Sequence, residues 1–131
     1  MSEGAATDDL DGALAAFFDG RAEARVLFDV VLEAIEALGP CTMRVTKSQV
    51  AFSRRRGFAW AWTPDRYLRG ETAPLVLSVA LGRRDASPRW KEVVEPARGR
   101  WMHHLELTSA SDVDAEVRAW LREAADAAGA R

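Results

Sequence analysis

Clustered arginines are the feature of this sequence with the clearest chemistry. Eight cationic side chains are predicted to lie in connections of the central segment, namely Arg54, Arg55, Arg56, Arg83, Arg84, Arg89, Lys91 and Arg98. Arginine offers planar, bidentate donors that match phosphate oxygens, and neighbouring glycines let backbone N–H groups approach an anion. Gly57, Gly82 and Gly99 lie close to these cations in the sequence. The pattern therefore predicts a site for an anionic ligand, with nucleic acid as the first candidate partner.

The charge of the chain is unevenly distributed. Residues 41–104 hold 13 basic and 5 acidic residues, a net of +8, whereas residues 1–40 carry −7 and residues 105–131 carry −3. The overall charge of −2 thus conceals a basic centre between acidic ends. The alternative hypothesis is that these cations form a solvated rim that pairs with acidic helices, as charged loops commonly do.

Two adjacent histidines, His103 and His104, are the next candidates for chemistry. Adjacent strand residues point to opposite faces, so the two imidazoles are not expected to bind one metal ion, and the lone Cys41 has no companion. We expect His103 to be a hydrogen-bonded core residue. His104 shares a predicted face with Glu106, which could orient it as a general base. A small-molecule enzyme using His104 and Glu106 therefore remains an alternative.

Five tryptophans could stack on nucleic-acid bases or fill a core. Trp60 and Trp62 alternate with Phe58 along a predicted strand, and Trp120 lies on a helical stripe, so core packing is favoured for these three. The chain has no phosphate loop, dinucleotide fingerprint, nucleophile elbow or zinc-protease motif, and we expect no cofactor.

Length and composition indicate a single domain. The chain has 131 residues, of which 48% are hydrophobic and 29% charged. We predict a flexible start over residues 1–8 and one domain over residues 9–128. A single cysteine, the absence of a basic leader and the absence of a long apolar run predict a soluble, cytoplasmic protein that does not contact a membrane. Only two of the 18 basic residues are lysines, which suggests a bacterial source.

Apolar spacing predicts an α+β domain with two N-terminal helices, a five-stranded antiparallel meander sheet and a C-terminal helix. The second helix carries an apolar stripe at helical spacing and ends before Gly39-Pro40; the stripe consists of Leu27, Val31, Ala34, Ile35 and Leu38. Ser87-Pro88 predicts a short helical turn through about Val94. The predicted strands contain, in order, Met43 and Val45, Val50 and Phe52, Phe58 to Trp62, Leu75 to Leu81, and Trp101 to Leu107.

Strand alternation also predicts the two faces of this sheet. In a meander, alternate connections emerge at one end, so the arginines of two connections should meet there. The helices should bury the face that carries Val50, Phe52, Trp60, Trp62, Leu77, Val79 and Leu105. The opposite face should carry small residues, against a helix or as a shallow groove: Ala51, Ser53, Ala59, Ala61, Val76, Ser78 and Ala80.

Several stretches together resemble one known family. They are Arg44 to Phe52, Phe58 to Trp60, Leu75 to Leu81, Ser87 to Arg89, Gly99 to His104 and Val117 to Leu121. With them the chain resembles domain-of-unknown-function family 5655 from about Phe17 to Ala125. The resemblance implies no reaction, substrate, cofactor or catalytic residue. The leading hypothesis is therefore a non-catalytic binding module with a basic end, followed by a structural or homo-oligomeric accessory domain and then by the enzyme.

Overall fold

The computed structural model describes residues 3–131, with side chains from Asp9 onward. The predicted flexible start, residues 1–8, lies outside the residues whose side chains are described. Three α-helices and six strands make up most of the described chain. They are α1 (Glu3–Phe17), α2 (Ala22–Glu36), β1 (Thr42–Val45), β2 (Val50–Ser53), β3 (Gly57–Trp62), β4 (Leu75–Leu81), β5 (Glu92–Ala97), β6 (Arg100–Leu107) and α3 (Ala115–Gly129).

The predicted α+β class, with two N-terminal helices and a C-terminal helix, is confirmed, but the sheet has six strands instead of five. Its order is β1-β2-β3-β4-β6-β5, and every neighbouring pair is antiparallel. The five predicted strands, which are β1 to β4 and β6, lie next to one another in the predicted meander order. The prediction missed β5, which forms a hairpin with β6 at the edge of the sheet.

The additional strand, β5, replaces the helical turn predicted from Ser87 to about Val94. The chain instead turns once, and the Lys91 amide then donates a hydrogen bond to the His104 carbonyl oxygen at 2.8 Å. From there β5 pairs with β6 as an edge strand, where Pro96 is tolerated because the missing N–H need not face a neighbour. The Ser-Pro signal was misleading because this pairing depends on a strand that follows later in the chain.

The helices pack on one face of the sheet and leave the other face open. Helix α3 lies along β3 and β4, and α1 lies against β1. The predicted stripe of α2 is confirmed, since Leu27, Val31 and Ile35 are buried. None of the helices in the described part of the chain is long and apolar enough to cross a membrane.

Strand β3 departs from the predicted alternation. The β2–β3 register shifts between Phe52 and Ser53, and both Phe58 and Ala59 are buried. A bulge of this kind places two consecutive residues against one partner and resets which residues face inward. Beyond it, Ala61 faces the helices while Trp60 and Trp62 face away.

The predicted buried face is therefore correct in part. Its members Val50, Phe52, Leu77, Val79 and Leu105 are buried under the helices. The placement of Trp60 and Trp62 there is wrong, and so is the placement of Ala59 and Ala61 on the opposite face. The physical reason is space: α3 packs across β3, and two alanines allow that approach where two indoles would not.

Candidate functional site

The open face of the sheet is unusually apolar for a surface that no helix covers. Trp60 pairs with Ser78, which pairs with His104, so these three lie side by side on it. Antiparallel sheets with one solvated face ordinarily place polar residues on that face. Large aromatic side chains here instead indicate a binding surface.

A groove of about 520 Å³ lies on this face, a volume within the range typical of small-molecule sites. We term it the aromatic groove. Two of its lining side chains, Tyr67 and Leu68, come from the β3–β4 connection and are 60% and 54% exposed. Its lining consists of Ser48, Gln49, Trp60, Trp62, Tyr67, Leu68, Ser78, Met102 and His104.

A hydrogen-bond chain supplies polarity at the floor of the groove. The Trp62 indole N–H donates to Ser78 Oγ at 2.9 Å, and Ser78 Oγ lies 2.7 Å from His104 Nδ1. Because tryptophan can only donate, Ser78 Oγ accepts from Trp62, and the direction of its hydrogen bond with His104 Nδ1 follows the tautomer of the imidazole. Burial lowers the pKa of His104, against an opposing contribution from Glu92, so the imidazole is neutral at pH 7.

The proposed pairing of His104 with Glu106 has no direct contact to support it in the described residues. Glu106 forms an ion pair with Lys91 at 3.3 Å, and the orienting contact to His104 comes from Ser78. Ser78 is only 3% exposed, and its hydroxyl is already held by two partners. This arrangement fits a rigid groove floor better than an activated nucleophile.

His103, by contrast, is the hydrogen-bonded core residue that the sequence predicts. It is fully buried, its Nε2 accepts from the Asp85 amide at 3.0 Å, and its Nδ1 lies 3.2 Å from the Trp101 carbonyl oxygen. Its ring packs against Trp90, with centroids 4.8 Å apart. Burial lowers the pKa of His103, so it is held neutral inside the protein.

The three consecutive arginines of the β2–β3 turn contact the last turns of α3. Arg54 donates to the carbonyl oxygens of Leu38 at 2.8 Å and Ala125 at 3.3 Å, and Arg56 donates to that of Ala127 at 2.6 Å. The Arg55 amide donates to the Ala128 carbonyl oxygen at 3.0 Å. These contacts satisfy carbonyl groups that every helix end leaves unpaired. Part of the predicted anion site therefore joins the β2–β3 turn to the helices through backbone carbonyl groups, and of these three arginines only Arg54 also has a carboxylate partner within the described residues, Asp126 at 3.5 Å.

Three more of the predicted cations, Arg83, Arg89 and Lys91, are paired with carboxylates. Arg83 binds both oxygens of Glu123 at 2.9 Å, and these hydrogen bonds raise its pKa further. Arg89 contacts Asp114 and Glu116 at 3.0 and 2.9 Å, where α3 begins. An α-helix rises ~1.5 Å per residue, so Arg89 lies about 20 Å from the arginines at the other end of α3. Arg89 and Lys91 are thus held elsewhere, by the start of α3 and by Glu106, and of the other six predicted cations Arg56 and Arg98 share one recess.

A second recess, of about 280 Å³, does gather cations and glycines. We term it the basic recess. It lies where the last turns of α3 meet the end of the sheet, and it is lined by Arg56, Gly57, Ala80, Leu81, Gly82, Arg98, Gly99, Arg100, Ala124, Ala127 and Ala128. All three glycines singled out from the sequence belong to it. A Cβ atom on Gly82 or Gly99 would meet no other atom within 4 Å, so the approach is open.

The cations of the basic recess differ in how they are held. Arg56 binds the end of α3, whereas neither Arg98 nor Arg100 has an ion-pair partner among the described residues. The Gly99 amide donates to the Glu95 carboxylate at 2.9 Å, so a carboxylate already occupies one donor near this rim. Arg100 was missed from the sequence, although it follows Gly99 and shares a strand face with His104.

The basic recess and the aromatic groove adjoin one another. The Arg100 guanidinium lies 5.8 Å from the centre of a Trp60 ring, within cation–π range. The Trp60 indole also lies over Gly57, where a Cβ atom would approach to 2.7 Å. Ala80 of the recess is the strand partner of Met102 of the groove. One ligand can therefore contact both.

The fold and the two recesses define a small α+β domain with an aromatic, cation-edged open sheet face. The chain belongs to the family described as Domain of unknown function (DUF5655), whose family model matches residues 14–127. Comparison with curated proteins and with solved structures gave no match. The family description names no activity, so the geometry of the site is what bears on function.

Proposed function

We propose that this protein is a non-catalytic binding module that holds an anionic ligand, with nucleic acid as the first candidate, in the basic recess. The observation that carries the proposal is the pair Arg98 and Arg100, which line one cavity without an ion-pair partner in the described chain. Arg54, Arg83 and Arg89 are already held by carboxylates or helix carbonyls. Unpaired guanidinium groups keep their donors available to phosphate oxygens.

Nucleic-acid binding through this recess should depend on salt, because phosphate contacts release counterions. We would measure fluorescence anisotropy of a labelled duplex at micromolar protein, from about 50 to 200 mM salt. The variant Arg98→Gln/Arg100→Gln should bind more weakly. Its log–log salt slope should be shallower by about 1.8, since each lost duplex phosphate contact removes about 0.9.

The matched control removes the same charge from a different surface. Arg118 and Arg122 are exposed on α3 and lie outside both recesses. Arg118→Gln/Arg122→Gln should leave the salt slope close to that of the parent protein. An equal effect of the two variants would assign binding to overall charge, and no binding of duplex, single strand or polyphosphate at about 50 mM salt would refute the proposal.

A structural or homo-oligomeric accessory domain is the second candidate, and the exposed apolar side chains favour it. Val94 on the edge strand β5 is 38% exposed, and in the β3–β4 connection Tyr67 is 60% and Leu68 54% exposed. An apolar face and a sheet edge are the features that a second copy can cover. Light scattering across a dilution series tests this, because a concentration-dependent mass is expected only of an oligomer.

A further inference from the structure

We infer that the aromatic groove binds unpaired bases of a single-stranded nucleic acid whose phosphate lies in the basic recess. This inference rests on the proposed function and names its ligand. The evidence is the position of Trp60, which lines the aromatic groove. The guanidinium of Arg100, which lines the basic recess, lies 5.8 Å from the centre of the Trp60 ring. A ligand held at both places needs a flat ring next to an anionic group, which is the chemistry of a nucleotide unit.

The form of the aromatic groove favours bases that are not paired. Trp60 and Trp62 stand on the same face of one strand, and Tyr67 packs edge-on against Trp62 with centroids 6.0 Å apart. Bases stack on aromatic side chains of this kind only when they are free of a duplex, where each base face is already covered. The neutral His104 and the amide of Gln49 add hydrogen-bonding groups at the lining.

The charges around the aromatic groove favour a strand over a single free nucleotide. Arg44 is exposed on β1 and lies on the open face in register with Ala51, the neighbour of Trp60. Lys47 lies in the β1–β2 turn next to Ser48, at the end of the sheet opposite Arg100, and itself lines a separate recess beside Phe17 of α1. Phosphates on both sides of a stacked base would therefore meet cations, whereas a mononucleotide has only one phosphate group to offer.

The acidic side chains of this face restrict the path of the strand. Glu92 lies on β5 and Glu106 on β6, so both stand near one edge of the sheet, and Glu106 is paired with Lys91. A phosphate backbone is repelled from that edge. The strand is therefore expected to run from the basic recess past Trp60 toward the β1–β2 turn.

The experiment compares four fluorescent or competing probes on the full chain. They are a mixed-sequence single strand of about 12 nucleotides, the duplex of the same length, inorganic polyphosphate and a free mononucleotide. We expect the single strand to bind at least about tenfold more tightly than the duplex. Trp60→Ala and Trp62→Ala should each weaken single-strand binding about 5- to 100-fold and leave polyphosphate binding unchanged.

Two further variants serve as controls, one at Trp60 itself and one far from both recesses. Trp60→Phe retains an aromatic face and should recover most of the single-strand affinity that Trp60→Ala loses. Val26→Ala removes an apolar side chain that is 60% exposed on α2, away from both recesses, and should bind as the parent does. Melting temperatures close to that of the parent show that each variant is folded.

The outcomes separate this inference from the proposed function. Equal single-strand and duplex affinities, insensitive to both tryptophans, would overturn the inference and leave anion binding intact. If the parent protein bound none of the four probes, both the inference and the proposed function would be overturned. A mononucleotide that binds as tightly as the strand would overturn the assignment to a strand. A dimer that dissociates in Trp60→Ala or Trp62→Ala would overturn it as well, because the face would then be a subunit interface.

Discussion

The two faces of the sheet use the same residue types for different purposes. His103 and His104 are neighbours in sequence, yet the first is sealed beneath the helices and the second lines the aromatic groove. Trp120 is buried in the core, whereas Trp60 and Trp62 lie on the open face. The chemistry of a side chain here depends on which face of the sheet it occupies, because only one face has a helical layer to cover it.

The arginines also differ from one another, in whether their donors are already occupied. Arg54 and Arg56 bind the end of α3 and connect the sheet to the helical layer. Arg98 and Arg100 line the basic recess together with Arg56, but they have no ion-pair partner within the described residues. An arginine whose donors are occupied contributes to stability, and one whose donors remain available can contribute to binding.

The largest expected change in the free energy of unfolding distinguishes the two faces of the sheet. Leu77 is fully buried beneath the helices, so Leu77→Ala should reduce the free energy of unfolding by about 2–5 kcal/mol, measured by urea denaturation. Trp60→Ala removes a larger side chain from the open face and should cost less than Leu77→Ala. A greater loss for Trp60→Ala would mean that the open face is part of the stabilising core.

The next largest change in stability should distinguish two adjacent arginines, Arg54 and Arg55. Arg54→Gln loses contacts that join the β2–β3 turn to Leu38 and Ala125, and charged hydrogen bonds of this kind are worth about 1.5–3 kcal/mol each. We expect a loss of about that size in urea denaturation. The control is Arg55→Gln, whose exposed side chain should contribute less than about 0.5 kcal/mol. Equal losses at the two positions would remove the structural distinction between them.

The smallest effect concerns pH and the two histidines. Burial lowers the pKa of both in the folded protein below the ordinary value of 6.5. As the pH falls below 6.5, the histidines of the unfolded chain therefore bind protons more readily than those of the folded protein. Protonation then favours the unfolded chain, so the stability present above that pH is lost on acidification. Each histidine can contribute a slope of up to about 1.4 kcal/mol per pH unit.

Urea denaturation at pH 7, 6 and 5 measures this slope. His104→Gln removes one of the two contributions, and we expect a shallower dependence with the fold retained, because its side chain lies on the open face. The lowered pKa values of Asp112 and Asp114 act below about pH 4 and do not enter this window. Stability that stays constant from pH 7 to 5 would show that neither histidine is held neutral by folding.

Local patterns in the sequence predicted the α+β class, the stripe of α2 and the buried character of Val50, Phe52 and Leu77. These follow from periodic spacing that is complete within a few residues. The basic centre and its glycines could likewise be found by inspection. The aromatic groove could not, because its residues come from three strands and two connections that the fold brings together.

Tertiary structure decided which face each tryptophan of β3 occupies and which arginines remain unpaired. The register shift next to Gly57 arises from pairing with β2, and no count of alternating residues along β3 alone reveals it. The partners of Arg54 and Arg83 lie 71 and 40 residues away on α3. The sequence by itself determined the charges and every main element except β5, whereas contacts between distant segments determined which of those charges and aromatic rings remain exposed for a ligand.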